Sequence, residues 1–240
     1  MNVPVLHGHM ARRVLLNYRV DAELLATLLP TPLRPLTWRR FGVAGICLIR
    51  LESVRPEGFP TWMGMASENA AHRVAVCWEE GGVTRTGVHV LRRDTSSWLT
   101  HRAGSRVFPG QFGRATFEIE GHEMGWDIRA KGPEMEVDLS LSLTATLPEG
   151  SLFRDMDEAT AFFESGALGW SEGSRGLEGM SVEFEGWNLR PLKIHRAQAS
   201  FFDDAQRFPA EKIALDSAFV MEHLPLRWRD AGMLEASCAC

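Results

Sequence analysis

The sequence predicts a mainly β fold of the α+β class: one domain of mostly antiparallel strands, closed or nearly closed so that its edges are protected, with two or three short helices. Three observations carry this expectation. The middle of the chain, residues 114–147, alternates apolar and polar side chains with a period of two, the pattern of strands with one buried and one wet face. An earlier run, Phe41–Leu51, is apolar on both alternating faces, as suits a strand covered on both sides. No repeat, heptad, low-complexity tract or Pro/Ser-rich linker divides the 240 residues, and one large domain accommodates that length.

Taken in order, Val14–Val20 reads as a strand, and Asp21 behind it as the cap of a short helix. Leu24, Leu25, Leu28 and Leu29 share one helical face, and Pro30 stops the helix. Residues 30–35, Pro-Thr-Pro-Leu-Arg-Pro, form a rigid connector. After Phe41–Leu51 come the strands His72–Trp78 and Thr84–Arg92, joined by a hairpin at Glu79-Glu80-Gly81-Gly82. Ala115, Phe117 and Ile119 alternate with polar neighbours, and beyond a turn at Gly121 so do Met124, Trp126 and Ile128. The pattern is clearest in Glu136–Leu147, with Val137, Leu139, Leu141, Leu143 and Leu147 on one face. Asp157–Ser165 predicts a helix. The glycines at 166, 169, 173, 176 and 179 predict a loop, with Trp170 and Met180 packing over the mouth of an interior. Two or three more strands fall between Val182 and Met221. Closing about ten strands leaves an interior, and the polar strand faces are expected to line it.

Composition narrows the function. A formal charge of −5 argues against a nucleic-acid binder, which carries a basic surplus or stripe. The longest uncharged apolar run, Phe41–Ile49, is nine residues, against the ~20 a membrane helix needs. The N-terminus lacks the build of a signal peptide, so the expectation is a cytoplasmic protein with no membrane partner. Cys47 and Cys77 sit in strand-like runs and read as small hydrophobes, and Cys238 and Cys240 form a C-x-C tail. No C-x-x-C, His-x-x-x-His or P-loop motif occurs, so no metal, nucleotide or other cofactor is expected. Of the 26 basic residues only Lys131, Lys193 and Lys212 are lysine, and any amine chemistry must use one of them or the N-terminus.

The run 13–21 (Arg-Val-Leu-Leu-Asn-Tyr-Arg-Val-Asp), with Leu24-Leu25 and Leu28-Leu29-Pro30-Thr31-Pro32-Leu33, resembles the opening of the acetoacetate decarboxylase superfamily. Residues 43–46 (Val-Ala-Gly-Ile), 67–74 (Ser-Glu-Asn-Ala-Ala-His-Arg-Val) and 92–97 (Arg-Arg-Asp-Thr-Ser-Ser) bring the likeness closer to its DUF2071 (YqjF-like) branch. Phe162-Phe163 and residues 187–191 (Trp-Asn-Leu-Arg-Pro) extend it. The resemblance implies a cone-like antiparallel β-barrel with a central, largely apolar cavity, and assembly into a homo-oligomer. Decarboxylases of that superfamily carry two adjacent lysines at the cavity wall; one forms a Schiff base with the ketoacid and its neighbour depresses its pKa. In this chain the matching stretch is Asp94–Leu99, where Ser96 and Ser97 stand in place of the lysine pair. A hydroxyl cannot form an iminium, so classical decarboxylation is not expected. One family acid is replaced by Gly42 or Val43, and the other is retained as Glu68.

These residues predict a small-molecule ligand, a carbonyl or carboxylate compound held between an arginine clamp and Glu68. As a carboxylate in a semi-apolar cavity, Glu68 would serve as general acid or base, with Arg92 or Arg93 stabilising an oxyanion. Strand alternation allows only one of these two arginines to face inward. Asn69, His72, Arg73, His89, Asp94, Ser96, Ser97 and Trp98 complete the expected binding set, with Trp62 and Trp98 as a ligand wall and His89 sharing a face with Leu91 and Arg93. The competing structural roles are an ion pair of Glu68 with an arginine, an Arg–Asp94 pair, and helix capping by Thr95 or Ser96. Three functions follow: a lysine-independent lyase or isomerase, a non-catalytic sensor or carrier, or a residual Schiff-base enzyme using Lys193.

Overall fold

The computed structural model describes residues 4–107 and 109–234; the C-x-C tail at Cys238 and Cys240 lies outside them. In chain order the strands begin with β1 (Leu6–Asp21), β2 (Arg34–Pro35), β3 (Thr37–Trp38), β4 (Phe41–Pro56), β5 (Met65–Glu80) and β6 (Val83–Thr95). There follow β7 (Phe112–Arg114), β8 (Thr116–His122), β9 (Gly125–Gly132) and β10 (Met135–Leu143). The last are β11 (Leu168–Gly173), β12 (Gly176–Phe184), β13 (Arg190–Ala199) and β14 (Ile213–Leu234). Three α-helices, α1 (Ala22–Ala26), α2 (Trp98–Val107) and α3 (Met156–Glu164), interrupt them. No helix among the described residues is long and apolar enough to cross a membrane.

The sheet closes on itself. Its order runs β1-β4-β5-β6-β11-β12-β14, and β14 pairs back with β1 to complete a ring. The closing strand is longer than the sequence suggested because β14 is used on both edges. One edge pairs with β1 from Ile213 to Trp228; the other is divided between β13 at residues 218–220 and β12 at residues 226–234. From β13 the sheet continues through β10 and β9 to β8, a second layer with no strand beyond β8 in its order among the described residues.

Alternation along each ring strand yields two faces with different partners. Val14, Leu16, Ala44, Ile46, Val74 and Val76 face outward and meet Ile128, Val137, Leu139 and Leu141 of the second layer in one core. Leu15, Val43, Cys47, Ala75 and Phe219 face the lumen, where they meet Leu152, Phe153, Ala159, Phe162 and Phe163 from α3 and the segment before it. The polar faces of residues 114–147 therefore do not line the interior. Their strands belong to the second layer, which buries its apolar face on the ring and turns Asp138 toward Arg196 and Ser142 toward His195 at the surface.

Side-chain caps set the start of two of the helices. Asp21 accepts from the Leu24 amide at 2.9 Å and caps α1, as expected, but the helix proper stops at Ala26 and continues as three-residue turns through Leu29. Asp155 caps α3 in the same way through the Glu158 amide. The glycine-bearing stretch 166–179 is not a loop: it holds most of the β11–β12 hairpin. Trp170 is buried edge-on against Trp78 at 5.6 Å on the outer face, so it covers no mouth.

Candidate functional site

Cross-strand registers stack the lumen side chains in rows. One row is Leu15–Cys47–Ala71–Arg93 and the next is Asn17–Gly45–Arg73–Val90, each read across β1, β4, β5 and β6. Gly45 lies so close to β1 that a Cβ there would sit 2.1 Å from the Leu16 carbonyl oxygen. The middle of that row is therefore bare, and Arg73 reaches across it: its Nη2 donates to Asn17 Oδ1 at 2.6 Å, from one strand to the next but one. Its Nε donates to Cys47 Sγ at 2.9 Å, and Arg13 Nη2 approaches the same sulfur at 3.8 Å. Phenylalanine rings back both guanidiniums, Phe163 at 5.2 Å from Arg73 and Phe184 at 5.7 Å from Arg13.

Arg93 is the third lumen arginine. It donates to the Pro109 carbonyl at 2.5 Å and to Ser171 Oγ at 2.6 Å, and burial lowers its pKa to about 10. Among the described residues no carboxylate lies within ion-pair distance of Arg13, Arg73 or Arg93. Burial alone would push the Cys47 thiol up, but the Arg73 and Arg13 guanidiniums more than offset this and hold it below the ordinary thiol range. Aromatic rings fill most of the adjoining lumen. Between Arg13, Arg73, Val88, Phe162 and Phe163 there remains a cavity of about 10 Å³, room for one water-sized group.

The residues singled out from the sequence divide between the two faces of the ring. Across from His72 and Arg73 stand Arg92 and Val90, so β6 carries one extra residue, Leu91. That bulge turns His89 and Arg92 outward while Arg93 faces the lumen, and His89 and Arg93 do not share a face. Glu68 is also on the outer face, where it pairs with Arg12 at 2.8 Å and Arg50 at 3.8 Å. Burial raises its carboxyl pKa despite both partners. The clamp of Glu68 with Arg93 is thus not assembled, because the ring wall lies between them. Arg92 forks onto buried Asp94, with both bonds at 2.7 Å, and also bonds Glu134.

Several of the remaining candidates are absorbed by local structure. Ser96 Oγ accepts from the Glu68 amide, and Ser97 Oγ accepts from the Thr100 amide at the start of α2. Neither serine stands in the lumen. Trp98 is half exposed with Arg102 over its ring, and Trp62 is 81% exposed, so no tryptophan wall forms. Asn69 donates to Ser67 Oγ at 2.9 Å. His72 is fully buried against Phe201 at 4.7 Å with neither ring nitrogen hydrogen-bonded, and burial lowers its pKa to about 4. His89 is lowered to about 4 as well, first by burial and then by Arg93. No lysine enters the lumen: Lys131 pairs with Glu136, Lys212 pairs with Asp21, and Lys193 is exposed on β13.

Of the lumen cluster, the sequence reading anticipated Arg73 and Arg93 and missed Arg13, Asn17 and Cys47. A signal was present: along residues 13–20, Arg13, Asn17 and Arg19 share one alternating face with Leu15, marking that face as partly polar.

The DUF2071 family model, described as an uncharacterized conserved protein, matches residues 9–221. No curated protein sequence matches significantly. Among solved structures, acetoacetate decarboxylase from Legionella pneumophila superposes with a TM-score of 0.63 at 12% identity, over 100% of this chain and 92% of that one. An acetoacetate decarboxylase-like enzyme from Sphingomonas wittichii RW1 gives 0.60 at 16% identity, over 98% and 94%. The enduracididine biosynthesis enzyme MppR complexed with pyruvate gives 0.60 at 13% identity, over 99% and 92%.

Proposed function

The chain belongs to the DUF2071 family and has the fold of the acetoacetate decarboxylase-like superfamily, and on that footing we propose that it binds a small anionic carbonyl or carboxylate compound in the lumen of its ring. One observation carries this reading: three arginines project into the lumen, and among the described residues none has a carboxylate partner. A buried guanidinium without a counter-charge is expensive. A carboxylate or enolate satisfies it by charge-assisted, bidentate hydrogen bonds. The solved MppR complex with pyruvate supports the same ligand class on a similar fold.

With three arginines and no lysine in the lumen, the chemistry open to it is lysine-independent. An arginine would hold a developing oxyanion during proton transfer, isomerisation or elimination. Glu68, on the far side of the wall, is assigned to holding Arg12 and Arg50 rather than to proton transfer. Because the described cavity is about 10 Å³, a pyruvate-sized ligand requires Phe162 and Phe163 to shift. That crowding favours a second reading, a sensor or carrier whose ligand moves α3 and undergoes no reaction.

Calorimetric titration with pyruvate and acetate tests the binding. Arg73→Met and Arg13→Met should each weaken it by about 10-fold or more, the worth of one charge-assisted hydrogen bond. Borohydride treatment with pyruvate should leave the intact mass unchanged. Equal affinity in the variants, or a reduced pyruvate adduct, would sink the proposal. Turnover of bound carbonyl compounds would decide for the enzyme over the sensor.

A further inference from the structure

We infer that Cys47 is the built-in counter-ion of the lumen arginines, a thiolate that takes up a proton when an anionic ligand displaces it from them. This inference rests on the reading of the lumen as an anion site and names the group that ligand must compete with. The geometry is specific. Cys47 is 98% buried by the complement of its 2% exposure, and Arg73 is 3% exposed, so neither charge is screened by solvent. Arg73 Nε and Arg13 Nη2 come from strands on either side of β4 and converge on the one sulfur. The Arg13 Nε is buried without a hydrogen-bond partner and Arg73 lines the cavity, so both remain disposed toward a further acceptor.

Every element packed on Cys47 agrees on the sign of the field. β1 presents Arg13 and the neutral Asn17, β5 presents Arg73, and β6 presents Arg93 in the same cross-strand row. The segment bearing α3 contributes Phe153, Phe162 and Phe163, and β14 contributes Phe219, all apolar. A thiol surrounded by guanidiniums and no carboxylate ionises readily. Its anion then neutralises part of a charge that would otherwise lie buried and unpaired.

The consequence is linkage. When a carboxylate settles on Arg73 and Arg13, it supplies the negative charge that Sγ supplied before. The S–H bond re-forms with one proton taken from solvent, and no bond to the ligand is made. Anion binding should therefore be accompanied by proton uptake wherever the free thiol is ionised, and should weaken as pH rises through that range. Such a thiol, newly protonated beside the ligand, is also placed to return its proton.

Ultraviolet difference absorbance near 240 nm, wild type minus Cys47→Ser, reports the Cys47 thiolate without any ligand. The difference band should titrate below the ordinary thiol range, and Arg73→Gln in the wild-type background should move its midpoint up. A midpoint at or above the ordinary range would overturn the inference even if Cys47→Ser were misfolded, because the Arg73→Gln comparison uses the native cysteine. With pyruvate as probe, calorimetry in buffers of different ionisation enthalpy should show uptake of a substantial fraction of a proton in the wild type and far less in Cys47→Ser. Pyruvate binding with no proton uptake would overturn the exchange. No binding at all would instead overturn the anion-site reading, while the absorbance band still decides the thiolate.

Discussion

Folding stability is expected to fall steeply as pH drops from about 6.5 toward about 4, through two histidines held neutral inside the fold. His72 and His89 both have pKa values lowered to about 4 from an ordinary 6.5, with burial the leading cause. The sign follows from linkage. Below about 6.5 the unfolded chain takes up protons that the folded chain refuses, so unfolding gains with each step down in pH until the folded pKa is reached. Each shift corresponds to roughly 3 kcal/mol across that window. Glu68 acts in the opposite sense: burial raises its carboxyl pKa, so its protonation as pH falls favours the folded chain and softens the slope.

The cleaner test is His72→Phe. Neither His72 nitrogen has a hydrogen-bond partner, and its ring stacks in a cluster with Phe201 and Phe202. Asp94, Arg92 and Arg207 are the charged groups acting on it. A phenylalanine of similar shape removes the unsatisfied polar atoms, which should stabilise the protein at neutral pH by about 1–3 kcal/mol. It should also remove about half of the acid lability. Urea unfolding at pH 7, 5.5 and 4.5 measures both, and a pH-independent midpoint in the wild type would refute the account.

Phe163→Ala should produce the other large effect, a loss of about 3–5 kcal/mol as a filled lumen becomes a void. Phe163 packs against Phe153, Phe162 and Phe219 at centroid distances of 5.5, 5.3 and 5.4 Å, and Arg73 lies over its face at 5.2 Å. The denaturation midpoint should fall with little change in slope, since the surface exposed on unfolding is nearly the same. The vacated space adjoins the Arg73 guanidinium. Benzoate should consequently restore part of the lost stability in the variant, its ring in the void and its carboxylate on the arginine, and should do much less for the wild type. A variant that benzoate does not stabilise would mean that the lumen collapses or that Arg73 is turned away.

Much of the local structure was legible in the chain. Asp21 announced its cap, the alternation of residues 136–143 marked which side of β10 is apolar, and within Phe41–Leu51 residues 42–48 are buried on both faces, while Phe41 is exposed and Ile49, Arg50 and Leu51 are half-buried. The site was legible only in pieces. Arg73 and Arg93 are among the residues the sequence singles out, and alternation leaves open which of Arg92 and Arg93 faces inward; carried strictly through Leu91, where β6 bulges, it wrongly puts His89 on the face of Arg93. A bulge is one residue's worth of altered backbone and leaves no mark in hydrophobic period. Ser96 and Ser97 were read as cavity wall, whereas turn and helix-cap hydrogen bonds take their hydroxyls.

By itself the sequence determined a strand-built fold, where most strands run and, away from the β6 bulge, which side chains share a face, since period and capping act over a few residues. Only the tertiary structure decided which face is lumen. That depends on β14 closing against β1 some two hundred positions away, and on α3 filling one side while the second layer covers the other. A strand has two equivalent faces until a distant partner arrives, so the convergence of Arg13, Cys47 and Arg73 on one buried point belongs to ring closure and not to any single segment.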